Sequence, residues 1–177
     1  MRDAGLVRQS REYSCGAAAL ATLLNTLRDD ALTEGDLLDV LSIKADDITL
    51  PPDWRDVGMS FATLAGLADY FGRDATGIEI QGPQLLLLKT PAIAFLPNSH
   101  PPHFTVIRSV GHRYVTLADP GWGNRRLRRR DFMQLWLDED TDRGRLLLLN
   151  GAAASQLPGA GRALPMLKAD DAPGLLR

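Results

Sequence analysis

Apolar residues in the first seventy positions recur at helical spacing. Ala17, Leu20, Ala21 and Leu24 follow an i, i+3, i+4, i+7 pattern and predict a helix whose first residue is Cys15, with Ser14 as its N-cap. Thr33-Glu-Gly-Asp36 has the form of a capping box and opens a short helix through Leu37, Leu38 and Leu41. Residues 44–58, which contain Pro51, Pro52 and Gly58, read as a loop. Ser60 then caps a third helix with the stripe Phe61, Leu64, Ala65, Ala68 and Phe71, closed by Gly72. After Gly77 the period changes. Gly82-Pro83 and the leucines 85–88 predict one short helical turn, and strands are expected at 91–96, 103–110, 113–118 and 145–149. A short helix near Asp131 carries Phe132, Leu135 and Trp136. Helices first and an antiparallel sheet second make an α+β chain. Residues 1–151 read as one domain, and 152–177, rich in Ala, Gly and Pro without periodicity, as a mobile tail.

Composition changes this picture little. The 177 residues suit one domain, and a hydrophobic share of 45% supplies its core. A net charge of −2 exerts no global pull toward nucleic acid or anionic lipid. No apolar run is long enough to span a bilayer. The segment Met1 to Gln9 lacks the apolar stretch of a signal peptide, so a periplasmic location would require an export signal ahead of Met1, and a cytoplasmic one a native start there. With a single cysteine the chain forms no internal disulfide.

That cysteine is the first candidate for chemistry. A thiol attacks as the thiolate, and the unpaired N–H groups and positive dipole end of a helix favour that form. The same residue also reads as a small buried hydrophobe. The second candidate is a hairpin. If the strands 103–110 and 113–118 pair about Gly111, with partner numbers summing to 222, His103 faces Asp119. An even loop would put the two on opposite faces unless a bulge shifts the register. A carboxylate beside an imidazole fixes its tautomer and stabilises the imidazolium, as a base serving a nucleophile requires. Cys on an early helix, then His and Asp from a later sheet, follow the order of papain-like enzymes.

These residues resemble the bacteriocin-processing, double-glycine leader peptidases, a papain-like cysteine peptidase family. Its first motif sets a Gln six residues before Cys-Gly and an Ala/Leu-rich helix, here Gln9, Cys15-Gly16 and Ala17 to Leu24. The second, His-Phe/Tyr-x-Val, is His103-Phe-Thr-Val106, and the third, Asp-Pro after a strand, is Asp119-Pro120. The run Gly58-Met-Ser-Phe-Ala-Thr-Leu also fits, and the likeness extends from about Val7 to Asn150. Many members carry Asp before the Cys, where this chain has Ser14.

The resemblance implies a papain-like fold, N-terminal helices packed on a C-terminal antiparallel sheet. It implies Cys15 as nucleophile, His103 as base and then acid, Asp119 as its orienter, and Gln9 with the Cys15 N–H as donors to the oxyanion. Gly16 would leave room for a substrate backbone. The substrate would be a peptide or protein leader cut after two small residues of the Gly-Gly type, the partner a peptide exporter, and no cofactor is called for. A non-catalytic peptide-binding module of the same fold is the alternative, and a papain-like transfer to another acceptor a third reading. The run Arg125 to Arg130 reads as a solvated strand face, because it lacks interleaved aromatics and acidic residues follow it, so no nucleic-acid partner is expected. His100-Pro-Pro-His103 lacks a third ligand at metal spacing. Trp54, Trp122 and Trp136 read as core or rim packing.

Overall fold

A computed structural model describes residues 2–28, 31–44, 47–48 and 50–149; the expected tail lies outside them. Helices α1 (Cys15–Arg28), α2 (Glu34–Ile43) and α4 (Phe61–Tyr70) form where the sequence predicts, with a single turn, α3 (Trp54–Val57), inside the expected loop. The caps account for two of these boundaries. Thr33 and Ser60 each accept a bond from the N–H three residues on, and each side chain there answers their own N–H. α1 starts differently from expectation. A 3-10 turn, Glu12–Ser14, runs straight into it, so the chain turns helical after Arg11 and Ser14 lies within the turn instead of capping α1.

Six strands follow in one antiparallel sheet: β1 (Ala75–Gln81), β2 (Ala92–Leu96), β3 (His103–Val110), β4 (Tyr114–Asp119), β5 (Gly123–Arg128) and, after helix α5 (Arg129–Trp136), β6 (Arg143–Leu149). Their order is β1-β6-β2-β3-β4-β5. A 3-10 turn at Gly82–Leu87 takes the place of the predicted turn. The two edge strands escape the periodicity rules: β1 has only Ile78 and Ile80 as large apolar residues, and half of β5 is arginine.

The sheet is buried on both faces. On one side Ile93, Phe104, Val106, Ala118, Leu147 and Leu149 join the core made with α1, α2 and α4. On the other, Ile80, Ala94, Ile107, Leu117, Leu146 and Leu148 pack beneath Phe132 and Trp136 of α5. Double burial is why β6 ends in an unbroken run of leucines instead of alternating.

The hairpin register is not the one that sums to 222. A two-residue connection, His112-Arg113, closed by the Gly111 N–H to Tyr114 carbonyl bond, starts the ladder with Val110 opposite Val115. An irregularity between Ile107 and Ser109 then shifts it, so that Ile107 faces Leu117 and Val106 faces Ala118. The shift restores the even parity that puts His103 and Asp119 on one face, two residues out of direct opposition.

Candidate active site

His103 opens β3 and Asp119 ends β4, so both lie at the end of the sheet that α1 approaches with its N-terminus. The His103 ring donates from Nε2 to Asp119 Oδ1 at 2.9 Å. Two further donors, the N–H groups of Gly121 and Trp122, reach the same oxygen at 3.0 Å each. The Asp-Pro-Gly-Trp turn therefore wraps its own carboxylate and aims it. With Nε2 engaged, Nδ1 is the ring nitrogen left for the thiol, and Cys15 lies close enough to His103 to act on its protonation.

Both groups are buried, Asp119 completely. Burial alone would push the His103 pKa down; the bonds to Asp119 and Cys15 and their charges outweigh it and raise it to about 9. For Asp119, burial pushes up, but the His103 bond and charge, the Trp122 N–H and the Arg125 guanidinium hold its carboxyl below the usual range. The arrangement favours a charged imidazolium–carboxylate pair next to a thiol.

Cys15 is the first residue of α1, as expected, but is only 9% exposed. It lines one end of a cleft of about 350 Å³, whose walls include Tyr13, Met59, Phe95, Pro102 and Phe104 and whose rim carries Glu12, Arg55 and Asp56. Gly16, next along α1, is closely packed. A Cβ there would meet Leu64 at 3.2 Å and Met59 and Phe104 at 3.4 Å, so its missing side chain lets α1 press on α4 and β3. Gln9 does come to the site. Its N–H bonds Pro120 O at 3.2 Å, and its amide oxygen lies 3.5 Å from the position of a Cβ on Gly121, beside Asp119 and His103. Its amide nitrogen donates one hydrogen to Arg11 O at 3.0 Å; the second is left for another acceptor. Gln9, Cys15, His103 and Asp119, scattered over 111 positions of sequence, are thus neighbours.

Comparison with known proteins shows the family. The peptidase C39 family matches residues 3–139. The chain belongs to the peptidase C39 family. A probable functional amyloid protease FapD of Pseudomonas aeruginosa is 32% identical over 154 residues, 83% of this chain and 66% of that protein. Its namesake in Pseudomonas fluorescens is 32% identical over 135 residues, 76% of this chain and 58% of that protein. The chain spans less than two thirds of either relative. Among solved structures, the peptidase domain of Streptococcus ComA, a bi-functional ABC transporter involved in a quorum sensing pathway, superposes with a TM-score of 0.64 at 18% identity, covering 81% of this chain and 96% of that one. A double glycine motif protease from an AMS/PCAT transporter, solved with its leader peptide, gives 0.61 at 21% identity, covering 81% and 89%. These likenesses show that the C39 chain has the papain-like peptidase fold.

Two buried contacts near these residues were not legible in the sequence. Glu34 reads in sequence as a helix-start residue, yet it is buried and bonded to the segment before Cys15. Arg125 reads as one of a solvated run, yet alone among Arg125, Arg126, Arg128 and Arg130 it turns inward. Its guanidinium lies 4.3 Å over the Trp122 ring and its Nε 4.0 Å from Asp119 Oδ2. Strand alternation at 125 and 126 was a signal for this, but only once β5 is known to be a strand. Of the tryptophans, Trp54 and Trp136 are core, and Trp122, 46% exposed, is rim, 5.7 Å from the His103 ring. Among the described residues no group of three side chains is placed to hold a metal.

Proposed function

We propose that this C39 chain is a cysteine peptidase acting through Cys15, His103 and Asp119, with Gln9 assisting. One observation carries the reading: a single imidazole bonded to a buried carboxylate and set beside a thiol that lines a cleft. The Cys15 thiolate attacks the scissile carbonyl carbon, and the carbonyl π electrons move onto oxygen. That oxyanion takes hydrogen bonds from the Cys15 N–H and the second N–H of the Gln9 amide. As it collapses, the C–N bond breaks and the His103 imidazolium gives its proton to the leaving amine, leaving a thioester. Neutral His103 then takes a proton from water, the hydroxide displaces the thiol sulfur, and a carboxylate product leaves. Asp119 holds the ring and offsets its positive charge throughout.

The substrate class proposed is a peptide or protein segment with a Gly-Gly-like site, a leader in the simplest case. Two observations support it. A thiol only 9% exposed is reached most easily by a backbone whose adjacent residues carry little side chain, and the transporter protease of similar fold was solved with a leader peptide. A peptide exporter is the partner class this suggests. The test is incubation with a Gly-Gly leader peptide, wild type beside Cys15→Ala. Cleavage by wild type alone and binding by both supports the peptidase; binding by both with no cleavage makes the chain a peptide-holding module, and cleavage by Cys15→Ala removes the proposed nucleophile.

A further inference from the structure

Glu34 is a buried carboxylate that this mechanism leaves idle. It stands at the first position of α2, 8% exposed, with all three of its hydrogen-bond donors on one five-residue segment. Oε1 accepts the Ser10 N–H at 2.9 Å and the Ser14 hydroxyl; Oε2 accepts the Ser10 hydroxyl at 2.6 Å. Ser14 Oγ in turn accepts the Arg11 N–H at 3.2 Å, bracing the 3-10 turn that the Ser14 N–H closes on Arg11 O and that leads into Cys15. A buried carboxylate is costly unless its oxygens are well bonded. Here the three donors are joined by the start of α2, where the helix dipole favours a negative charge. Ser10 follows Gln9, and Ser14 precedes Cys15. One carboxylate therefore grips the residue after one proposed oxyanion donor and the residue before the other.

We propose that Glu34 is a positioning residue that sets the spacing between the Gln9 amide and the Cys15 N–H, and so shapes the oxyanion site. The inference rests on the peptidase reading above. It acts on where the donors stand, and the thiol and His103 function without it. Ser14, which holds the place that many family members give to Asp, is on this view the near end of a link whose charge comes from α2.

The experiment measures kcat and KM on a Gly-Gly leader peptide and, separately, the alkylation rate of Cys15 by iodoacetamide at pH 7, which needs an ionised thiol but no oxyanion site. Glu34→Ala, Glu34→Gln and Ser14→Ala are compared with Gln9→Ala, each checked for wild-type circular dichroism. Glu34→Ala is expected to lower kcat about 10- to 100-fold, somewhat less than the ~10²–10³ typical for losing a donor outright, with KM within about twofold and alkylation within about threefold of wild type. Glu34→Gln and Ser14→Ala, which keep part of the network, should lose less and in the same pattern, and they carry the test if Glu34→Ala does not fold. Unchanged kcat in the folded Glu34 and Ser14 variants overturns the inference. So does a fall in alkylation that parallels kcat, since the effect would then run through the nucleophile or the fold. Gln9→Ala separates the two levels: if it keeps wild-type kcat, the oxyanion reading itself fails, and if it loses kcat while the Glu34 variants do not, only the positioning role does.

Discussion

His103 titrates high because its interactions with Asp119 and Cys15 outweigh its burial, and this gives the site a readable pH signature. A proposed ion pair that needs the imidazolium should lose activity as pH rises through about 9, so a basic limb is expected there in kcat/KM. Asp119→Asn removes the larger of the two supports and should move that limb down, with a large fall in kcat. Arg125→Met should move it the other way: the guanidinium draws on Asp119 and repels the imidazolium, so its loss lets His103 hold its proton more tightly. A pH–rate profile of the three proteins checks both signs, and equal limbs would show that the 4.0 Å approach of Arg125 carries no weight. The same shifts have a stability side. The His103 contribution is complete below its unfolded pKa, near 6.5, and lost as pH rises through about 9; the Asp119 contribution is present above about 4 and lost as pH falls through its lowered value.

At the scale of elements, two glycines act through the side chain they lack. A Cβ on Gly144 of β6 would stand 2.1 Å from the Trp136 ring, which lies across that strand with its indole N–H on Arg145 O at 3.1 Å. Gly144→Ala must push α5 off the sheet, and a loss of about 1–3 kcal/mol or more is expected, read as a drop of several degrees in Tm. Gly16→Ala meets softer neighbours at 3.2–3.4 Å and should cost less stability. Because it shifts α1, which carries Cys15, its larger effect should appear in kcat. Caps behave more simply. Thr33→Ala removes the acceptor for the Asp36 N–H and should cost about 1 kcal/mol, measured by chemical denaturation. The caps at Thr33 and Ser60, the glycine stop after α4 and the Gly-Pro turn were legible in sequence, because each is a hydrogen bond or steric rule within a few residues. β1 and β5 were not, since an edge strand needs little apolar pattern of its own when its neighbours supply the ladder.

For the molecule as a whole, the sheet is a shared wall between two cores. Leu146 and Leu147 are adjacent, both fully buried, and belong to opposite cores. Leu146→Ala and Leu147→Ala should each cost about 2–5 kcal/mol. A sheet with one solvated face would have spared one of them, and thermal unfolding decides. The amino-acid sequence by itself determined the helices, the α+β order and the motifs around Gln9, Cys15, His103 and Asp119, because periodicity, capping and spacing are local properties of a chain. Only the tertiary structure decided how these meet. The irregularity beside Arg108 sets the parity of His103 and Asp119, Cys15 sinks to 9% exposure, Gly16 proves to be a packing contact, and Glu34 reaches back to Ser10 and Ser14. Register, burial and long-range carboxylate bonds depend on which surfaces come together, and no window of sequence contains both partners.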